Sequence, residues 1–114
     1  MNPKNLGKIN NADGIGSTEN LRCGDVMKVY IKVDKNENIK DIKFETLGCV
    51  PAIAISDMIC ELAKNKTIKQ AKAIRFQDIA EEMGDIPKPK LHCVALGETA
   101  LKAAIEDYET KKSQ

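Results

Sequence analysis

The chain has no tryptophan, and only two tyrosines and two phenylalanines stand among its 114 residues, so its core must be aliphatic. No apolar run approaches the roughly 20 residues of a membrane-spanning helix, which argues against a membrane protein. The opening Met1-Asn2-Pro3-Lys4-Asn5 lacks the apolar stretch of a secretory signal and points to the cytoplasm. An excess of either charge is also missing. Lys and Arg number 18 against 17 Asp and Glu, a net charge of +1, which removes the electrostatic case for a nucleic-acid or acidic-lipid partner. There is a single histidine, and the four cysteines include no Cys-x-x-Cys pair.

What is present describes one ordinary globular domain spanning residues 1–114. A hydrophobic fraction of 42% beside 31% charged residues suffices for a modest core and no more. Residues 1–20 are polar and interrupted by Pro3, Gly7, Gly14 and Gly16. They read as a loosely ordered N-terminal arm with at most a short extended piece near Ile15 to Leu21. Gly14-Ile15-Gly16-Ser17 lacks the preceding strand and the further glycine or Gly-Lys-Ser of a phosphate loop.

From Met27 the pattern becomes regular. Met27, Val29, Ile31 and Val33 alternate with Lys28, Tyr30 and Lys32, the period of a half-buried strand over 26–33. A polar turn at 34–38 leads to a second strand over 39–47, with Ile42 and Phe44 opposed to Asp41, Lys43 and Glu45. So short a connection makes an antiparallel hairpin. Pro51 opens a helix to about Ala63, with Ala52, Ile55, Ile59 and Leu62 on one stripe. Thr67 and Gln70 have capping-box spacing for a short helix through Ala73. Phe76 to Met83 reads as another short helix, 86–90 as a proline-rich connector, and Val94 to Tyr108 as the last helix. Strands first and helices later give an α+β fold: a small antiparallel sheet, with a short N-terminal strand as an optional addition, and helices on one face.

Three cysteines share a setting. Cys23 precedes a strand, Cys49 follows one and precedes a helix, and Cys93 precedes a helix, each beside a Gly or Pro. Hairpin geometry makes Cys23 and Cys49 neighbours, and a suitably packed last helix adds Cys93 and His92. Cytoplasmic cysteines stay reduced, which favours metal or redox chemistry over disulfides. Three thiolates with Asp25 or His92 make a four-donor set suited to zinc or an iron–sulfur cluster. The separations, 26 residues from Cys23 to Cys49 and 44 from Cys49 to Cys93, match no compact metal motif, so spacing alone weighs buried inert cysteines equally. Cys60 lies mid-helix and reads as a small core hydrophobe outside the site. Glu61, Glu106 and Asp107 read as solvated helix faces. A cysteine-nucleophile enzyme with Cys93 as thiolate and His92 as base ranks last, because adjacent residues at a helix start diverge in direction.

Four stretches taken together carry more information: Asn2-Pro3-Lys4-Asn5-Leu6-Gly7, Cys23-Gly24-Asp25-Val26-Met27-Lys28, Phe44-Glu45-Thr46-Leu47-Gly48-Cys49 and Lys90-Leu91-His92-Cys93. In this order the chain resembles the U-type iron–sulfur cluster assembly scaffolds, of the IscU and NifU N-terminal kind, from Asn2 to about Tyr108. The resemblance implies a scaffold and not an enzyme, with Cys23, Cys49 and Cys93 as cluster ligands. It implies Asp25 as the aspartate that keeps the cluster labile, His92 as the neighbouring histidine and Cys93 as persulfide acceptor. The cargo it implies is iron and an Fe–S cluster, 2Fe–2S in the first place. The implied partners are a cysteine desulfurase, apo iron–sulfur proteins and a ferredoxin. A zinc-binding structural or regulatory domain using the same ligands is the alternative. Three departures stand out. Ile86-Pro87-Lys88-Pro89 replaces the Leu-Pro-Pro-Val handle of a dedicated Hsp70-type chaperone, so that partner is not expected. Val50-Pro51 replaces the usual Gly-Ser after Cys49 and stiffens the segment. The N-terminal helical extension of many members does not precede Asn2.

Overall fold

The period-two alternation of residues 26–33 and 39–47 produces the centre of the fold, seen in a computed structural model that describes residues 5–20, 25–47, 50–74, 81, 84 and 91–112. β1 (Gly14–Asn20), β2 (Asp25–Val33) and β3 (Ile39–Leu47) form a three-stranded antiparallel sheet in the order β1-β2-β3. Gly16, Val29 and Phe44 stand opposite one another across it. Met27, Val29, Ile31, Ile42 and Phe44 lie on one face and are buried. That face is covered by α1 (Val50–Ala63), which lies against β3, and α3 (Leu91–Lys112), which lies against β1 and β2. The short α2 (Ile68–Lys72) links them with the expected capping box, Thr67 accepting from the Gln70 N–H while Gln70 accepts from Thr67 N–H.

The architecture is the expected α+β one, with the hairpin at its expected place. Burial of Ile59 from α1 and of Leu101 and Ile105 from α3 contributes about 1.5–3 kcal/mol per side chain. Cys60 is fully buried and free, as read from its mid-helix position, and burial pushes its thiol well above the usual range. The expected helix over 76–83 and the connector over 86–90 fall largely outside the described residues.

The optional N-terminal strand is present, as a full strand over 14–20 in register with β2. Gly14 and Gly16 are buried, and a Cβ on Gly16 would collide with the α3 backbone at Ala100 O and Ala104 N. Their missing side chains permit close approach, which erases the apolar alternation that marks a strand. α3 begins three residues before Val94 and continues one turn past Tyr108, where Lys111 pairs with Asp107 at 2.9 Å and Lys112 with Glu37. Tyr30 faces away from the core yet is only 5% exposed: Lys28 Nζ lies 5.5 Å from its ring centroid and its hydroxyl donates to Glu45. Burial, then the Glu45 carboxylate, pushes its phenol up to about 12.

Candidate functional site

Five element ends meet at one end of the sheet. In the antiparallel register Asp25 pairs with Asn20 and Val26 with Leu47, so the start of β2 lies between the ends of β1 and β3. Beneath that end sits Met27, fully buried. Ser56, in the second turn of α1, donates its hydroxyl to Met27 Sδ at 3.4 Å. From the other helix, a Cβ built on Gly97 would lie 3.6 Å from the same sulfur and would run into Ile59 Cδ1. Gly97 is therefore the notch that lets α1 and α3 close over Met27.

The two helices leave this end in the same sense. Ile59 meets Gly97 near it, while α2, which follows α1, sends Lys72 to Glu109 near the far end of α3 at 2.7 Å. Val50 and Leu91, their first residues, thus both lie toward the end where β2 begins and β3 finishes.

The sequence candidates attach to these ends. Asp25 is the first residue of β2, and His92 and Cys93 are the second and third residues of α3. Cys23, two residues before β2, and Cys49, immediately before α1, lie outside the described residues. Among the described residues no group of three or more His, Cys, Asp or Glu side chains is arranged to hold a metal ion. Neither α1 nor α3 has an acidic residue in its first turn. A helix N-terminus presents unpaired N–H groups and the positive end of the dipole, which Asp or Glu commonly offsets. Here that field is left for an incoming anion or a thiolate.

Sequence reasoning missed the roles of Met27, Ser56 and Asn5. Met27 was legible only as a core residue of the strand. Ser56 gave no signal beyond a polar residue among apolar ones. Asn5 belonged to a recognisable motif without an assigned role, and it is 1% exposed.

Comparison with known proteins supplies the rest. Residues 1–114 match the profile of the family described as the NifU-like N terminal domain. The chain is 50% identical over 114 residues to "iron-sulfur cluster assembly scaffold protein IscU 1" of Archaeoglobus fulgidus, covering 100% of this chain and 74% of that protein. It is 46% identical over 114 residues to "iron-sulfur cluster assembly scaffold protein IscU" of Escherichia coli K12, covering 97% and 88%. Among solved structures, one described as an iron–sulfur cluster assembly scaffold for the SUF system of Fervidobacterium islandicum superposes with a TM-score of 0.69 at 26% identity, covering 90% of this chain and 87% of that one. The N-terminal part of a NifU-like protein from Brucella abortus shares the fold, with a TM-score of 0.64 at 18% identity over 96% and 88% of the two chains. Matched by the profile over its whole length and half identical to a curated relative, this chain belongs to the NifU-like N-terminal domain family.

Proposed function

We propose that the protein is an iron–sulfur cluster assembly scaffold. Membership of a family whose relatives carry that name along their shared length is the observation that carries the reading. On this reading a cysteine desulfurase delivers sulfur to Cys93 as a persulfide, iron enters at the thiolates of Cys23, Cys49 and Cys93, and the finished cluster passes to apo-proteins. Converting persulfide sulfur to bridging sulfide takes up two electrons for each sulfur, which reduced ferredoxin supplies in successive one-electron transfers. The protein binds and transfers its cargo and is not a turnover enzyme. It works in the cytoplasm, where thiols stay reduced; among the described residues no helix is long and apolar enough to cross a membrane.

Three features support this chemistry. Cys93 falls in the first turn of α3, where the dipole lowers the cost of a thiolate and of a negatively charged cluster. Asp25 opens the neighbouring strand and offers a hard oxygen donor. A mixed set of thiolates with Asp25 or His92 holds a cluster less tightly than four thiolates, as release demands. The cargo is taken to be 2Fe–2S.

Anaerobic incubation with ferrous iron, cysteine, a cysteine desulfurase and a dithiol reductant for the persulfide tests the reading, followed by removal of the desulfurase and addition of apo-ferredoxin. Sulfide-to-iron absorption should appear on this protein and then move to the ferredoxin. Tight zinc binding with no chromophore and no transfer would replace the scaffold by the zinc-binding structural domain.

A further inference from the structure

The motif Asn2-Pro3-Lys4-Asn5-Leu6-Gly7 marks the family, yet nothing in the chemistry above uses it. The structure gives two of its residues work. Phe44 N–H donates to Asn5 O at 2.8 Å and Gly7 N–H donates to Phe44 O at 2.9 Å, a parallel bridge centred on Leu6 that lays this segment along the outer edge of β3. Gly7 has φ +144, a conformation that L side chains rarely adopt.

Asn5 then reaches across to α1. Its backbone N–H donates to Asp57 Oδ1 at 2.9 Å, and its Nδ2 donates to Asp57 Oδ1 at 3.0 Å, to Glu61 Oε1 at 3.0 Å and to Asp57 O at 3.5 Å. Asp57 and Glu61 are one helical turn apart and present their carboxylates to the same side-chain amide. One buried side chain thus ties β3 and α1 together.

The place of this tie matters. β3 ends at Leu47 and α1 begins at Val50, so only Gly48 and Cys49 join them. Cys49 is bonded directly to Val50, the first residue of α1, so whatever fixes the start of α1 limits the reach of Cys49. The far end of α1 has its own anchor to the start of β3: Asn65 N–H donates to Ile39 O at 2.9 Å and Ile39 N–H to Lys66 O at 2.8 Å. With α1 held there, the Asn5 tie, two turns into the helix, sets the angle at which its first turn meets the sheet.

We infer that Asn5 is a positioning residue for the cluster site, acting through Asp57 and Glu61 to hold the start of α1, to which Cys49 is bonded, at the end of the sheet where β2 and α3 begin. This role rests on the scaffold reading, and it gives the N-terminal motif a function at a site it does not touch. The amide is required. Aspartate in its place would lose both Nδ2 donors and set a third carboxylate against Asp57 and Glu61.

Cobalt(II), whose thiolate charge-transfer and d–d bands report ligand number and geometry, is the probe. It is titrated into wild type, Asn5→Ala, Asn5→Asp and Ile105→Val; the last trims a buried residue of α3 far from the clamp. Wild type should show thiolate-to-cobalt bands, and both Asn5 variants should bind about 10-fold more weakly or worse, with shifted d–d bands. Ile105→Val should lower the melting temperature while keeping wild-type affinity and spectrum. Should Asn5→Ala not fold, Glu61→Ala removes a single bond and is expected to weaken binding in the same direction. Asn5 or Glu61 variants with unaltered affinity and bands overturn the clamp while leaving the scaffold reading intact, as does an Ile105→Val variant shifted as far as they are. Absence of thiolate bands in wild type overturns the site itself, and the role of the clamp with it.

Discussion

The two edges of the sheet are closed by opposite means. At the β1 edge α3 comes down onto the strand because Gly14 and Gly16 have no side chains, and the helix backbone occupies the space a Cβ would need. Asp107 completes the contact by accepting the Ile15 N–H at 2.9 Å. At the β3 edge residues 5–7 supply a single parallel bridge instead, and Asn5 secures it to α1 through hydrogen bonds to Asp57 and Glu61. An open strand edge invites pairing with other chains; the bridge at Leu6 gives β3 a partner, and Asp107 takes the Ile15 N–H of β1. The difference lies in how each can yield. A contact between backbones has no rotamer to adjust, whereas a hydrogen-bonded strap can be loosened one bond at a time. The adjustable edge belongs to β3, the strand whose end leads by chain connection to Cys49.

Substitutions that break this contrast should rank accordingly. Gly16→Ala should cost most, about 3 kcal/mol in denaturant unfolding, since neither Ala100 O nor Ala104 N can step aside without moving α3. A loss under about 1 kcal/mol would mean that α3 backs away from β1 freely. Asn5→Ala should cost about 2 kcal/mol, because the Asp57 and Glu61 carboxylates lose a buried donor.

Asp107→Asn should cost less, about 1 kcal/mol near neutral pH. Its pH dependence is distinctive. The Ile15 N–H, then Lys111, hold the Asp107 carboxyl below its ordinary 3.8. A folded value below the unfolded one means the contribution is complete above the usual carboxylate range and lost as pH falls through the folded value. Acid titration of stability should therefore bring wild type and Asp107→Asn together below about pH 4, and a gap constant with pH would refute the assignment. Smallest should be Gly97→Ala. Its Cβ would displace the movable end of Ile59 and touch the Met27 sulfur at ordinary contact distance, and about 1 kcal/mol of helix propensity offsets the repacking, so stability should stay near wild type.

The legibility of these features in the sequence follows the same physics. β2 and β3 were readable because each buried position carries a large apolar residue and each opposite one a polar residue, and β3 ends where the alternation ends. β1 was readable only as an optional short strand, because close approach of α3 demanded glycine at the positions that would have shown the pattern. The final turn of α3 was missed because its residues are stabilised by charge pairs and not by burial. Glu61 and Asp107 looked like solvated carboxylates, since a hydrogen bond to a distant backbone or amide leaves no trace in local composition. The cysteines of the candidate site were legible only as residues at element ends. Their proposed common purpose rests on the order of four short motifs, because a site drawn from residues as far apart as Cys23 and Cys93 has no compact spacing to read.

The central claim is that Cys23, Cys49 and Cys93 hold one cluster while Cys60 belongs to the core. Visible absorption after anaerobic reconstitution of Cys23→Ser, Cys49→Ser, Cys93→Ser and Cys60→Ser tests it most directly. Sulfide-to-iron bands should be lost or strongly weakened in the first three and kept in Cys60→Ser. Bands that survive all three site substitutions, or that vanish with Cys60→Ser in a protein that remains folded, would contradict it.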